Sequence, residues 1–395
     1  MEKLNQTLFK IEFVFVTLIL FPLILFSQNL QIGGYSKYLY SLSKIKGIEE
    51  NLIDNTIHSR LNLKYFFHDK ITFSTAIRNK IVYGESIEKF PSIIDGFSQT
   101  EYFFDLETYL WEKKSSLNYL EIDRLWFDYY SEDFQLSFGR QRIAWGTSWV
   151  WNITDIFNPL SILDFDYEER PAVDAIRLQY FPSITSKLDF ALKPSKHIEN
   201  TSVALQFYLN KFEYDFYLMF GYHLQRFFTG FCWAGDIAGA GFRGEIFFTD
   251  APEKIKFNSP NSFSSEQRKQ FSLVLSFDYT FESSFYIHSE ILYNNIGKTE
   301  SIKFYSIDAL KIGLLSTSRI NLFYQLGYNL SPLSRIDLIA LHNPFDQSYV
   351  LLPSLSYSLF QNLDLSTVTL YFNGKDFAEY SPSGFMFFTR LKYSF

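Results

Sequence analysis

The sequence predicts an all-β protein, a transmembrane antiparallel β-barrel of about 18 strands, with about 16 strands as the competing count. Three observations carry this prediction. Segments of roughly ten residues alternate between apolar and polar side chains, the connections between them are sorted by length, and aromatic residues make up 20% of the 395-residue chain. The mean hydropathy of −0.06 is low for a helical membrane protein. The aromatic content excludes a disordered chain.

The clearest alternating segment runs from residue 57 to residue 67. One face carries Ile57, Leu61, Leu63, Tyr65 and Phe67, and the other carries His58, Arg60, Asn62 and Lys64. Successive strand side chains point to opposite sides, so one face suits lipid and the other suits water. Similar segments recur at residues 71–77, 119–130, 134–141, 173–181, 186–192, 202–209, 212–222, 240–248, 271–281, 285–293, 320–330, 335–341, 349–359 and 363–372. Residues 227–240 are predicted to form one further strand and a Gly-rich turn, because an even strand count requires it.

Connection lengths indicate how the barrel is oriented. Short turns are expected at residues 68–70, 131–133, 182–185, 210–211, 282–284, 331–334 and 361–362. Long connections are expected at residues 84–118, 142–172, 249–269, 294–319 and 374–384. Outer-membrane barrels have short periplasmic turns and long extracellular loops, and the same assignment is expected here. A β-sandwich has no reason to sort its loops in this way.

The N-terminal segment has the pattern of a secretory signal peptide. Lys3 and Lys10 precede an apolar run over residues 11–26, and the small residue Ser27 follows. The alternative is a membrane anchor, for which this run is short. We expect residues 1–27 to be a signal peptide, residues 28–395 to form a single barrel domain, and the location to be the bacterial outer membrane.

The last strand, residues 385–395, ends in Phe395. A terminal aromatic on such a strand resembles the C-terminal assembly signal of Gram-negative outer-membrane barrels. The resemblance implies the barrel assembly machinery as a partner, with outer-membrane lipid and lipopolysaccharide as the surroundings. Arg390 and Lys392 lie on the opposite face of this strand and are expected in the lumen.

Candidate pore-lining residues follow from the face opposite the apolar one. They are Arg60, Lys64, Arg78, Lys80, Arg124, Asp128, Arg177, Arg243, Glu245, His288, Glu290, Arg390 and Lys392. The set leans basic although the chain has a net charge of −7, and rings of Arg and Lys in a pore favour anions. The alternative is a solvated wall whose charges pair locally, Arg124 with Asp128, Arg243 with Glu245, and His288 with Glu290.

The connection at residues 142–172 is long, apolar and aromatic for an exposed loop. It contains Trp145, Trp149, Trp151 and Asp155. Loops of this length are functional or disordered, and this composition is not that of disorder. We expect it to fold into the barrel and narrow the pore, with its tryptophans against the wall. The alternative is a loop that caps the barrel from above.

Several motifs together carry a family resemblance. FQLSFGRQRIAWG at residues 134–146, an Asn-Pro pair at 158–159 and PAVDAIRLQYF at 171–181 resemble porin-like outer-membrane barrels of the alginate-export and phosphate-selective type, in an uncharacterised branch. GFRGEIFFT, YIHSEILYN and the closing FNGKDFAEY…TRLKYSF also resemble that group. The resemblance implies a single-chain channel for small solutes and transfers no particular substrate.

The sequence thus predicts an outer-membrane porin-like channel for passive diffusion of small solutes, leaning towards anions. The main alternative is a non-transporting barrel, an adhesin or surface anchor; a channel for hydrophobic compounds is a third reading. An outer-membrane enzyme is disfavoured, because there is no G-x-S-x-G elbow and Ser289 points away from His288. A single cysteine, Cys232, and the absence of metal-ligand spacing predict no metal or cofactor. No nucleic-acid-binding pattern occurs, and the oligomeric state stays open.

Overall fold

The computed structural model describes residues 29–90, 102–158, 171–251, 268–299 and 313–395, together with the strand residues 255–256 and 262–263. Eighteen of the strands in this part of the chain form one closed antiparallel barrel, in which β21 pairs with β1. The predicted fold class and the count of 18 are confirmed. The predicted signal peptide lies outside the described residues.

Twenty-one strands and two short helical segments are described. The strands are β1 Leu30–Ile45, β2 Leu52–His68, β3 Ile71–Gly84, β4 Glu107–Lys113, β5 Ser116–Tyr130, β6 Phe134–Gln141, β7 Val173–Ser183, β8 Ser186–Lys193, β9 Ser202–Lys211, β10 Tyr214–His223, β11 Arg226–Ile237, β12 Ala240–Asp250, β13 Ile255–Lys256, β14 Ser262–Phe263, β15 Lys269–Thr280, β16 Phe285–Asn294, β17 Ile320–Ser331, β18 Ser334–Asn343, β19 Ser348–Phe360, β20 Leu363–Asn373 and β21 Gly384–Ser394. Helix α1 is Glu85–Lys89, and Ile198–Asn200 forms a 3₁₀ turn. Among the residues described, no helix is long and apolar enough to cross a membrane.

Three strands lie outside the barrel wall proper. Strands β13 and β14 pair only with each other. Strand β4 pairs with the first half of β5, whereas β6 pairs with the second half of β5. The edge of β5 is therefore shared, and β4 takes the place that a longer β6 would occupy.

The two ends of the barrel differ, as the connection lengths predict. At one end, called the turn end here, two-residue turns such as residues 69–70, 212–213 and 361–362 join the strands, and β1 begins and β21 finishes. The other end, the loop end, carries the long connections, including residues 142–172 and 374–383. Its connection at 224–225 is nevertheless short. Strands β11 and β12 account for residues 227–240 as one further strand and a tight turn.

The two faces of the wall alternate as a membrane barrel requires. Large apolar side chains such as Phe127, Phe190, Leu218 and Phe277 are exposed on the outside. The inside carries most of the buried polar and charged side chains, with His58 and Arg60 on β2 as examples. Such an outer band matches lipid, and such an interior matches water.

A β-bulge at Asp123 breaks this alternation once on β5. The pairing with β3 slips between Ala76 and Ile77, so Asp123 and Arg124 both turn inward and both are buried. Strict alternation from Arg124 would place Glu121 and Asp123 against lipid. The bulge places both acids inward instead, because it exchanges the lipid-facing and lumen-facing positions over the first half of β5.

The C-terminal residue closes the barrel. Phe395 exchanges two backbone hydrogen bonds with Gly34 of β1, at 2.9 and 3.0 Å. Its side chain is exposed on the outer face at the turn end, beside that of Tyr393. Strand β1 itself was absent from the predicted segments, because Tyr35 and Leu39 point inward and blur its alternation.

Candidate functional site

The main feature of the lumen is the chain that follows β6. Residues 142–158, called the inserted segment here, leave the wall and fold inward, with Ile143, Trp145, Trp151 and Phe157 buried. The described part of the predicted constriction loop thus lies inside the barrel; residues 159–170 lie outside the described part of the chain. A short β6 makes this departure possible.

Gly139 lies in β6, two residues before the strand ends and the chain leaves the wall. Its φ of +122° is in the region that side chains avoid, and a Cβ atom there would lie 2.2 Å from the carbonyl oxygen of Leu125. Glycine is the residue for such a close backbone approach. The neighbouring Arg140 is buried. It pairs with Asp174 at 2.9 Å, donates to the carbonyl of Ile122 at 3.0 Å and also donates to that of Phe104.

Trp145 packs against small residues of the inner wall. Ala191, Ala204 and Gly221 lie directly opposite one another on β8, β9 and β10. Their small size leaves room on the inner wall for the indole of Trp145, which meets Phe157 edge to face at 5.2 Å. This first apolar cluster joins the inserted segment to the inner faces of β7 to β12.

A second apolar cluster holds the middle of the inserted segment. Val150 and Trp151 pack with inward side chains of β15 to β20, and the ring of Trp151 lies 6.5 Å from that of Phe323. Tyr380, from the connection between β20 and β21, joins the same cluster. The two clusters place the inserted segment against the walls from β7 round to β20.

Glu245 on β12 anchors the segment through backbone hydrogen bonds. Its carboxylate accepts from the amides of Thr147 at 2.7 Å, Ser148 at 2.8 Å and Thr154 at 3.0 Å, and from the Thr154 hydroxyl at 2.8 Å. The side chain of Thr154 also contacts the buried thiol of Cys232 at 3.1 Å. Glu245 therefore ties together both ends of the turn over residues 147–154.

Glu290 on β16 accepts hydrogen bonds from the next three backbone amides. It accepts from Trp149 at 2.8 Å and from Val150 and Trp151 at 3.2 Å. His288 lies 3.2 Å from the same carboxylate. Five consecutive amides, residues 147–151, thus bind two wall carboxylates, and such runs of amides form good anion-binding concavities. Glu245 and Glu290 were predicted to line the pore; the structure places them under the inserted segment.

The remaining residues predicted for the loop have different positions. Trp145 and Trp151 are buried, whereas Trp149 is 60% exposed in the lumen. Asp155 is buried and accepts a hydrogen bond from the amide of Asn158 at 3.3 Å. The three tryptophans therefore divide into two that pack and one that faces water.

The strands β21, β1, β2, β3 and β5 form a distinct inner surface, the basic wall. Its inward Arg and Lys residues are Lys37, Arg60, Lys64, Arg78, Lys80, Arg124, Arg390 and Lys392, against the carboxylates Asp54, Glu121, Asp123 and Asp128. Lys392, Lys37, His58 and Lys80 are directly opposite one another on four adjacent strands. Part of this wall borders an open cavity of about 920 Å³ that Arg60, Lys64 and Arg124 line.

Two carboxylates of the basic wall pair with arginines that lie next to this row. Glu121 pairs with Arg78, and Asp123 lies 3.1 Å from Arg60 and 4.0 Å from Arg124. The sequence analysis did not predict Glu121 or Asp123 in the lumen. Strict alternation puts both acids at lipid-facing positions of β5, and that pattern could have indicated a bulge. Asp128, the partner of Arg124 in the alternative reading, accepts hydrogen bonds from Trp126 at 2.7 Å and from Ser137 at 2.5 Å within the wall.

On the opposite side, the cations pair with carboxylates nearby. Arg177 binds Asp189 at 2.5 Å. Arg243 pairs with Asp278 of β15, so the predicted pair of Arg243 with Glu245 is wrong. The reason is that the inserted segment already occupies Glu245. The predicted contact of His288 with Glu290 is present.

A buried carboxylate also ties together three connections at the loop end. Glu379 accepts hydrogen bonds from Ser316 at 2.7 Å, Asn321 at 2.7 Å and Asn343 at 3.1 Å, and its amide donates to Asp346 at 2.8 Å. Burial, with a smaller contribution from Asp346, raises the pKa of the Glu379 carboxyl to about 7. Sequence patterns do not reveal this cluster, because its members come from distant connections.

Comparison with known proteins agrees with this architecture. OccAB2 of Acinetobacter baumannii superposes with a TM-score of 0.58 at 10% identity, over 93% of this chain and 98% of that one. OccAB4 of the same species gives 0.56 at 10% identity, and OccK2 (OpdF) of Pseudomonas aeruginosa gives 0.55 at 7% identity, each with the same coverage. These structures and this chain share one fold, a closed antiparallel barrel. The predicted location in a bacterial outer membrane agrees with it.

No protein-family model matches the sequence, and no curated protein is significantly similar to it. Within the described ranges, no group of three or more His, Cys, Asp or Glu side chains is arranged to hold a metal ion. The chemistry that the described lumen offers is therefore charge, hydrogen bonding and aromatic surface.

Proposed function

We propose that this chain is an outer-membrane channel for passive diffusion of small solutes, with a preference for anions. The observation that carries the proposal is the position of the inserted segment. It covers the inner walls from β7 to β20 and leaves open the cavity of about 920 Å³ beside the basic wall. A solute that passes the segment would therefore travel along Arg and Lys side chains.

The charge balance of that wall supports the preference for anions. Eight Arg and Lys side chains and four carboxylates lie on this wall, which gives it an excess of positive charge. Arg60, Lys64 and Arg124 of this wall line the open cavity directly, where a passing solute would meet them. Rings or rows of Arg and Lys favour anions in pores.

The motifs flanking the inserted segment support a finer placement. FQLSFGRQRIAWG forms β6 and the start of the segment, and PAVDAIRLQYF leads into and forms most of β7. On these motifs we place the chain with porin-like barrels of the alginate-export and phosphate-selective type. The proposal assigns no enzyme activity, and it gives Phe395 the role of an assembly signal read by the barrel assembly machinery.

Two measurements on the purified full-length protein test the channel itself. In planar bilayers we expect discrete conductance steps in potassium chloride, and in liposome-swelling assays we expect uptake of small solutes. A folded, heat-modifiable barrel that gives neither conductance nor swelling would instead be the non-transporting barrel, an adhesin or surface anchor.

A further inference from the structure

Trp149 is exposed, unlike the other aromatic residues of the inserted segment. Its indole is 60% exposed, whereas Trp145, Trp151 and Phe157 are at most 6% exposed. The backbone of Trp149 is nevertheless fixed, because its amide donates to Glu290 at 2.8 Å. The structure thus anchors the backbone of Trp149 and exposes its indole in the lumen.

The indole belongs to a group of side chains near the turn end. The guanidinium of Arg243 lies 5.2 Å from the centre of the Trp149 ring, and Arg243 pairs with Asp278. Arg243 is the fourth residue of β12 counted from the turn end. Trp149 therefore faces the turn-end side of the inserted segment.

A second ring and a second ion pair continue this surface. Arg335 binds Asp337 through two hydrogen bonds of 2.8 Å and lies 5.5 Å from the ring of Tyr286. The pair reaches over β17 because residue 327 is glycine; a Cβ atom there would meet both side chains, within 2.6 Å. Asp278 on β15 lies diagonally across from Tyr286 on β16, and Tyr286 is directly opposite Gly327 of β17, so the two halves are contiguous.

We propose that this surface, called the aromatic platform and formed by Trp149, Arg243, Asp278, Tyr286, Arg335 and Asp337, binds neutral polyhydroxylated rings, the chemistry of sugars. The proposal rests on the channel function above and adds a solute class to it. Aromatic faces offer the flat apolar contact that the C–H side of such a ring needs. Pockets combine such surfaces with a few placed polar groups to orient a ligand.

Charge decides between this class and ionic solutes. The charges of the two guanidinium groups and the two carboxylates sum to zero, so the platform favours neither anions nor cations. Each cation is already bound to its carboxylate, so a zwitterion would have to break a charge-assisted pair to bind. A hydroxyl both donates and accepts, and it can bind the outer atoms of each pair without breaking it. Neutral hydroxylated rings therefore fit best.

The test is block of the ion current by maltose, with purified full-length protein in planar bilayers. For the wild type we expect a saturable fall in current. For Trp149→Ala we expect binding about ten-fold weaker, which corresponds to the loss of one aromatic contact. Trp149→Phe should retain most of the block. Trp111→Ala is the matched control, since that exposed tryptophan lies on β4, outside the platform.

Two other solutes separate the explanations. Sorbitol at equal viscosity has the hydroxyls without the ring, and glycine is a zwitterion; neither should block saturably. Current that falls only in proportion to viscosity, an unchanged block in Trp149→Ala, or equal block by sorbitol or glycine would overturn the proposal while the channel itself stands. A protein without ion current would instead overturn the channel function on which the proposal rests.

Discussion

Individual carboxylates organise the interior of this barrel. Glu245 and Glu290 bind amides of the inserted segment, and Glu379 binds the side chains of Ser316, Asn321 and Asn343 at the loop end. These acids use hydrogen-bond donors of the chain in place of Arg or Lys partners. Where the acid is ionised, a hydrogen bond of this kind contributes roughly 1.5–3 kcal/mol. A single acid can therefore determine the path of a whole connection.

Glu379 makes the loop end sensitive to pH. Its folded-state pKa of about 7 lies above the ordinary value of 4.5, so the folded cluster binds the proton more tightly than the opened cluster does. The stabilisation is full below about pH 4.5 and is lost as the pH rises through 7. We therefore expect proteolysis of the loop-end connections to be faster at pH 8 than at pH 5.

Glu379→Gln supplies the control for this prediction. The amide stays neutral at both pH values, so the difference in proteolysis between pH 5 and pH 8 should shrink, after correction for the pH dependence of the protease on an unfolded substrate. An equal pH dependence in the variant would show that another group is responsible.

At the scale of elements, the inserted segment is held by two acids and two apolar clusters. Replacing Glu290 or Glu245 by Gln keeps the size but replaces one accepting oxygen by an N–H₂ group that faces amide donors. The buried amides lose bonds worth several kcal/mol in sum. We expect Glu245→Gln and Glu290→Gln to loosen the segment, and single-channel conductance to rise in each variant.

Asp189→Asn is the matched control for the anchoring acids. Asp189 is also buried on the inner wall, but its partners are Arg177, Lys187 and Gln179. This change should leave conductance close to that of the wild type. Equal conductance in all three variants, with normal heat-modifiable mobility, would contradict the anchoring role.

The predictability of each element depended on how local its cause is. Alternation and turn lengths are local, so the barrel, its strand count and most inward side chains could be predicted from the sequence. The bulge at Asp123 changes the faces over half of β5, and alternation alone does not reveal it. The inward path of residues 142–158 was predicted from its aromatic composition, but its anchors are nearly 100 or more residues away in the chain. Glu245 was therefore mistaken for a pore-lining residue.

The whole molecule is asymmetric across its lumen. The basic wall of β21, β1, β2, β3 and β5 faces walls on which the inserted segment packs and on which cations and acids pair. The net charge of the chain, −7, gives the opposite expectation for ions. The local arrangement should prevail, because charges within about 10 Å of a passing ion act on it while distant surface charges are screened.

The most direct test of this account is the reversal potential across a potassium chloride gradient in planar bilayers. The account predicts the sign that corresponds to chloride permeating better than potassium, and a shift towards zero when Lys64, which lines the open cavity, is replaced by Gln. A reversal potential with the sign for potassium, unchanged by that replacement, would contradict a solute path along the basic wall.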